Sequence, residues 1–154
     1  MTKPFSLQPI LELMQSRTDE ATVALARLIA SERDAQAKLD LLRQYRGEYA
    51  QRFSAAAQDG LTPQAWKNFS DFLARLDDAI SQQEQVVAQS QRNTAAGQSH
   101  WQQQRVKLKA MDTLSQRHQV RENSLENRRE QKLTDEIATR RHFRNDTDKG
   151  TDNN

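Results

Sequence analysis

LQPILELMQSRTDEATVALARLIASERDAQAKLDLLRQYRGEYAQRF, residues 7–53, decides the fold. Every seventh residue from Leu7 is apolar or small: Leu7, Met14, Ala21, Leu28, Ala35, Leu42 and Tyr49. If these sit at heptad position d, position a reads Leu11, Thr18, Leu25, Glu32, Leu39, Arg46 and Phe53, apolar at four of its seven sites. A stripe this narrow and regular is the seam of a coiled coil. It predicts a first helix from about Phe5 to Ala56.

Outward from that stretch, Asp59-Gly60 is a turn pair, and Thr62-Pro63 supplies an N-cap followed by proline at the first helical position, where its missing N–H costs nothing. The turn falls at about 57–62 and a second helix at about 63–142. Trp66, Phe69, Leu73, Leu76 and Ile80 open that helix, and its a row continues through Val87, Thr94, Trp101 and Leu108, with Met111 at d. Its other d sites, Gln83, Ser90, Gly97 and Gln104, are polar or small. Gly97 costs about 1 kcal/mol of helix propensity relative to Ala, so looser packing or a bend is expected there.

A short turn makes the helices antiparallel, and facing residue numbers should total about 119 or 120. Tyr49 then faces Ser70 or Asp71, and Leu7 faces about Asp112. Helix 2 loses its apolar stripe after Leu114, where helix 1 has run out. The architecture expected is all-α: one long two-helix antiparallel coiled-coil hairpin over 1–144, with helix 2 the longer, and a disordered tail over 145–154.

Composition agrees and narrows the function. Of 154 residues 35% are hydrophobic, and the mean hydropathy of −0.98 is too low for a thick core. The 23 basic and 21 acidic residues leave a net charge of only +2, so a polyanionic partner is not demanded. Nucleic acid is not expected, because glutamates interleave with the arginines and no aromatic stacking platform accompanies them.

No cysteine is present, none of the glycines belongs to a phosphate-binding loop, and His100, His118 and His142 lack metal-ligand spacing. Carboxylates on a thin helical pair have no cleft to desolvate them. No catalysis, cofactor, metal or small-molecule substrate is therefore expected. The first twenty residues lack a signal-peptide core, and no segment is apolar enough to span a membrane, so the expected compartment is the cytoplasm.

Two surfaces stand out. Leu42, Tyr45 and Tyr49 on helix 1, and Phe72, Leu76 and Ala79 on helix 2, occupy d and g positions near the turn. The two g edges meet in an antiparallel pair, so these residues should make one apolar-aromatic patch, while the e edge of helix 2 (Ser70, Asp77, Glu84) is polar. The patch is either a docking surface or simply a better-packed end of the seam. The second surface is the extension beyond Ser115, with Arg117, Arg121, Arg128, Arg129, Lys132, Arg140, Arg141 and Arg144 against five carboxylates.

The order and spacing of several segments give a resemblance over nearly the whole chain. Tyr45-x-x-x-Tyr49, then Trp66-x-x-Phe69-x-x-Phe72, Trp101, Lys107-Leu108-Lys109-Ala110, and Glu126-Asn127-Arg128-x-x-Gln131-Lys132 with Asp135-Glu136 resemble the flagellar export family FliJ. The resemblance implies a non-enzymatic, γ-subunit-like stalk of the flagellar type III export apparatus, cytoplasmic and peripherally associated with the inner membrane at the flagellar base. Its implied partners are the export ATPase ring, the cytoplasmic domain of the export gate protein, and export chaperones; the free chain would be a monomer.

By motif, the gate-binding surface falls on Leu42, Tyr45, Tyr49, Phe72, Leu76 and Ala79, with Lys38 and Gln83 departing from the family's pattern at its limits. The ring contact falls on the region of Leu7, Leu11, Met14, Arg121, Arg128, Arg129, Lys132 and Arg140. The rival reading is a generic coiled-coil adaptor or secretion chaperone, because heptads alone do not specify a partner.

Overall fold

The computed structural model describes residues 3–150. Two helices account for almost all of them: α1, Gln8–Asp59, and α2, Pro63–Lys149. Contacts divide the chain into two units. One joins the described residues up to Ser16 with those from Val106 on; the other is Arg17–Arg105, an antiparallel helical hairpin.

In the hairpin the turn follows the local chemistry. Nothing between Ala56 and Asp59 opposes a helix, so α1 continues to Asp59, and Gly60 ends it with φ of +93°, a conformation that costs L side chains about 1–2 kcal/mol. Thr62 then caps α2 by accepting the Ala65 N–H on Oγ1 at 3.1 Å, and Pro63 takes the first helical position.

Because α1 overruns its expected end, the turn centres on Leu61 and the register moves. Thr18 meets Gln104 and Leu28 meets Thr94, pairs that each total 122, two or three more than the turn sequence had suggested. Tyr49 accordingly has Phe69 and Phe72 as its ring neighbours, on either side of the Ser70 and Asp71 positions expected opposite it.

Burial follows the heptads. Among the described residues the seven buried ones, Leu11, Thr18, Ala21, Ala35, Leu39, Val87 and Gln104, all lie on the a and d rows. The tightest cluster is Ala35, Leu39 and Val87, with Ile80 packed against it. Each fully buried aliphatic side chain contributes about 1.5–3 kcal/mol, so a few positions carry much of the hairpin's stability.

Where α2 has polar seam residues, hydrogen bonds replace apolar contact. Gln83 Nε2 donates to the Ala35 carbonyl at 2.9 Å, Thr94 Oγ1 to the Leu28 carbonyl at 3.3 Å, and Trp101 Nε1 to Thr22 Oγ1 at 2.9 Å. From the other side, Thr18 Oγ1 donates to the Gln104 carbonyl at 3.3 Å. Gln104 Oε1 is buried without a partner, which costs about 1–3 kcal/mol of desolvation.

Gly97 neither loosens nor interrupts α2. A Cβ built there would lie 2.5 Å from Leu28 Cδ1, so the Leu28 side chain occupies the notch that the missing side chain leaves. Gly97→Ala therefore trades about 1 kcal/mol of helix propensity against displacement of a flexible methyl, and stability should move by less than about 1 kcal/mol. Gly97→Val, with a branched side chain in the same notch, should lose about 2 kcal/mol. Urea unfolding of both variants checks the pair.

In the other unit the described chain begins as a short strap before α1. The Lys3 N–H donates to Glu122 Oε2 at 3.2 Å, the Lys3 carbonyl is 2.9 Å from His118 Nε2, and the Phe5 ring lies 5.5 Å from the His118 ring. The seam row of α2 thus continues past Leu114 as Ser115, His118 and Glu122, half-buried although polar. Seam contact was expected to stop at Leu114; the strap extends it, because backbone groups of a non-helical segment can pair with polar side chains. α2 runs through Asn145 to Lys149, and the expectation of disorder over 151–154 lies outside the described residues.

Candidate functional site

The hairpin carries an aromatic ladder next to its turn. Phe53 stacks obliquely on Trp66 at 4.8 Å and on Phe69 at 5.3 Å, and Tyr49 lies 5.3 Å from Phe69 and 4.3 Å from Phe72. Tilted pairs at such spacings are favourable beyond their area burial. Leu42, Tyr49, Leu76 and Ala79 are half-buried in or beside the seam, whereas Tyr45 is 54% and Phe72 41% exposed. All six belong to the hairpin, and their exposed part is the g edge. Val86, one heptad beyond Ala79 and 48% exposed, extends that edge and was missed from sequence; the 72–79–86 spacing was the signal.

The two edges of the hairpin differ in chemistry. On the e side Arg46 Nε pairs with Asp77 at 2.9 Å and Arg43 with Glu84 at 3.2 Å, closing the seam with charge. The hydrogen bond to Asp77, reinforced by its negative charge, raises the Arg46 pKa above its ordinary value. Exposed ion pairs of this kind are screened and fix geometry more than they add stability. On the g side Tyr45 and Phe72 present apolar surface to solvent, the kind of surface that anchors protein partners.

The second candidate region lies in the other unit. Leu11 is buried and Met14 half-buried on the seam row, so they hold α1 against α2; Leu7, 37% exposed, and Ile10, 41% exposed, remain at the surface. Arg121, Arg128, Arg129, Lys132 and Arg140 are all exposed on α2, and from Asn127 to Gly150 every residue is exposed. Among the described residues no cluster of three His, Asp or Glu side chains is placed to hold a metal ion, and no helix is long and apolar enough to cross a membrane.

Comparison with known proteins agrees with this arrangement. The family described as flagellar FliJ protein matches residues 2–147. The flagellar FliJ protein of Escherichia coli K12 is 26% identical over 144 residues, covering 94% of this chain and 98% of the relative, and that of Salmonella typhi has the same identity and coverage. A solved chain from Chlamydia trachomatis, described as a YscO homolog, aligns over 94% of this chain and 98% of its own at 18% identity and a TM-score of 0.42. With two antiparallel heptad helices, an aromatic hairpin edge and a family match across nearly its whole length, the chain belongs to the FliJ family of flagellar proteins, components of the flagellar type III protein export apparatus.

Proposed function

We propose that the chain is a non-enzymatic stalk of the export apparatus, cytoplasmic and peripheral to the membrane at the flagellar base, which promotes assembly and activity of the export ATPase ring. In this role it also engages the cytoplasmic domain of the export gate and escorts export chaperones. The observation that carries the proposal is the run of α2 from Asn127 to Lys149, a helix with every residue exposed. Isolated helices gain most of their stability from packing, so a long polar helix of this kind calls for a partner.

The exposed cations Arg121, Arg128, Arg129, Lys132 and Arg140, together with the N-terminal residues Leu7, Leu11 and Met14, would form the ring contact, Leu11 and Met14 by supporting α2. The g-edge patch of Leu42, Tyr45, Tyr49, Phe72, Leu76 and Ala79 would bind the gate. Such a protein performs no chemistry of its own; it works by coupling two binding events.

The test is to mix the purified chain with a flagellar export ATPase and measure hexamer formation and ATP hydrolysis, with a chain ending at Ser115 as control. Stimulation by the full chain and none by the shortened one is the expected result. No stimulation by the full chain would leave only an adaptor role.

A further inference from the structure

The strap before α1 is gripped through its backbone by two side chains four residues apart on α2. The Lys3 N–H donates to Glu122 Oε2 at 3.2 Å, and His118 Nε2 donates to the Lys3 carbonyl at 2.9 Å, since a carbonyl can only accept. One residue of extended backbone presents its N–H and C=O on the same side. Side chains at i and i+4 of a helix stand about 5–6 Å apart on one face, so an acceptor and a donor at that spacing match such a residue. The Lys3 side chain takes no part in either bond, and the residue is exposed.

The strap sequence suits this grip. Pro4 confines the residue before it to extended backbone, which keeps the Lys3 N–H and C=O out of helical bonding. Two residues on from Lys3, where an extended chain returns to the same face, the Phe5 ring lies 5.5 Å from the His118 ring at a tilt of 45°. Phe5 is half-buried whereas Lys3 and Pro4 are exposed, so the aromatic is the side chain that the site takes in.

The strap does not fill the space it covers. A cavity of about 260 Å³ remains between it and α2, bordered by Gln8, Gln119 and Asn123, whose amides both donate and accept. The site therefore has room, and further backbone-binding groups, for an occupant larger than the strap.

We infer that His118 and Glu122 form a clamp for an extended peptide segment of a protein partner, and that the strap occupies it as an internal pseudo-ligand. The segment would carry an aromatic residue two positions after the clamped one. A helical partner does not fit, because its backbone N–H and C=O groups are already bonded to one another. A polyanion does not fit either, because its phosphates would meet the Glu122 carboxylate. The strap's own hold is slight, two hydrogen bonds and one ring contact. Its advantage is the tether, which keeps it at an effective concentration in roughly the mM range. Binding of a partner segment thus releases the N-terminal residues. The clamp uses none of the residues assigned above to the ring and the gate, and it does not depend on those roles.

The test uses the full-length chain and reads the His118 ring signals by nuclear magnetic resonance, identified by their loss in His118→Gln. Lys3→Pro combined with Phe5→Ala removes the clamped N–H and the aromatic ring ahead of α1 and so releases the strap. The probe is an acetylated peptide amide of residues 2–6. In the released variant it should shift the His118 signals saturably toward those of the unaltered chain, with a Kd on the order of 1 mM. The peptide Gly-Ala-Pro-Tyr-Ala, which keeps the proline and an aromatic, should bind within about threefold of it. Methylation of the clamped nitrogen, alanine in place of the aromatic, or Glu122→Ala in the chain should each weaken binding at least about fivefold. The unaltered chain should bind the probe at least about fivefold more weakly, because its strap competes.

No saturable shift up to about 10 mM probe would overturn the inference, as would equal binding of the methylated peptide. Identical His118 signals in the unaltered and released chains would also overturn it, since the strap would then not be seated. If the unaltered chain sediments as a dimer that the released variant does not form, the clamp holds the strap of a second copy and the partner segment is refuted. Helicity by circular dichroism should be the same in both chains; Phe5→Ala alone, which alters no backbone group, repeats the comparison if it is not.

Discussion

Leu39→Ala should lower the unfolding free energy by about 3 kcal/mol, within the usual range for removing a buried leucine. Leu39 is 3% exposed, and its cluster partners Ala35 and Val87 are too small to fill the space it would vacate. Only Ile80, packed against the cluster, could move in, so collapse of the site would be partial. Urea titration followed by circular dichroism gives the value. The comparison that sharpens it is Tyr45→Ala, where 54% exposure predicts a loss under about 0.5 kcal/mol. A Leu39→Ala cost below about 1 kcal/mol would mean that the seam is not organised around this cluster.

The second large effect concerns binding. Tyr45→Ala combined with Phe72→Ala should weaken association with the cytoplasmic domain of the export gate about 100-fold, since aromatic anchors commonly contribute 2 kcal/mol or more each and seldom add fully. Phe72 also touches Tyr49, at 4.3 Å between ring centroids, so this double variant should be somewhat less stable; binding is therefore measured well below its melting temperature. The Tyr45→Ala single variant separates the two effects. It should bind about tenfold more weakly with an unchanged melting curve. Full binding by that variant would remove Tyr45 from the surface and leave the g edge as a better-packed end of the seam.

Much of this molecule could be read from its heptads because the seam is one-dimensional: which residues are buried depends on phase, and phase is written in residue spacing. Glu32 and Arg46, charged residues at a positions, are half-buried just as that phase requires. Three things were not legible. The register depended on whether Gln58 and Asp59 joined the helix, which no periodicity decides. The strap was invisible because its hydrogen bonds use the Lys3 backbone, and sequence patterns describe side chains. The fit at Gly97 was misjudged because a glycine's effect depends on what enters its notch, here a leucine from the facing helix.

The candidate surfaces divide in the same way. The membership of Tyr45 and Phe72 in one patch followed from their g positions, whereas the closure of the opposite edge by Arg43 and Arg46 required side-chain geometry.

Three of the bonds that cross the hairpin seam end on main-chain carbonyls, those of Ala35, Leu28 and Gln104. Every amino acid supplies such an acceptor, so the identity of the accepting residue carries none of the information that sets the bond. That information resides in the donors Gln83, Thr94 and Thr18 alone. Substitution drift at the three accepting positions is constrained only by volume and helicity, while loss of a donor hydroxyl or amide cannot be rescued by any change on the opposite strand of the pair.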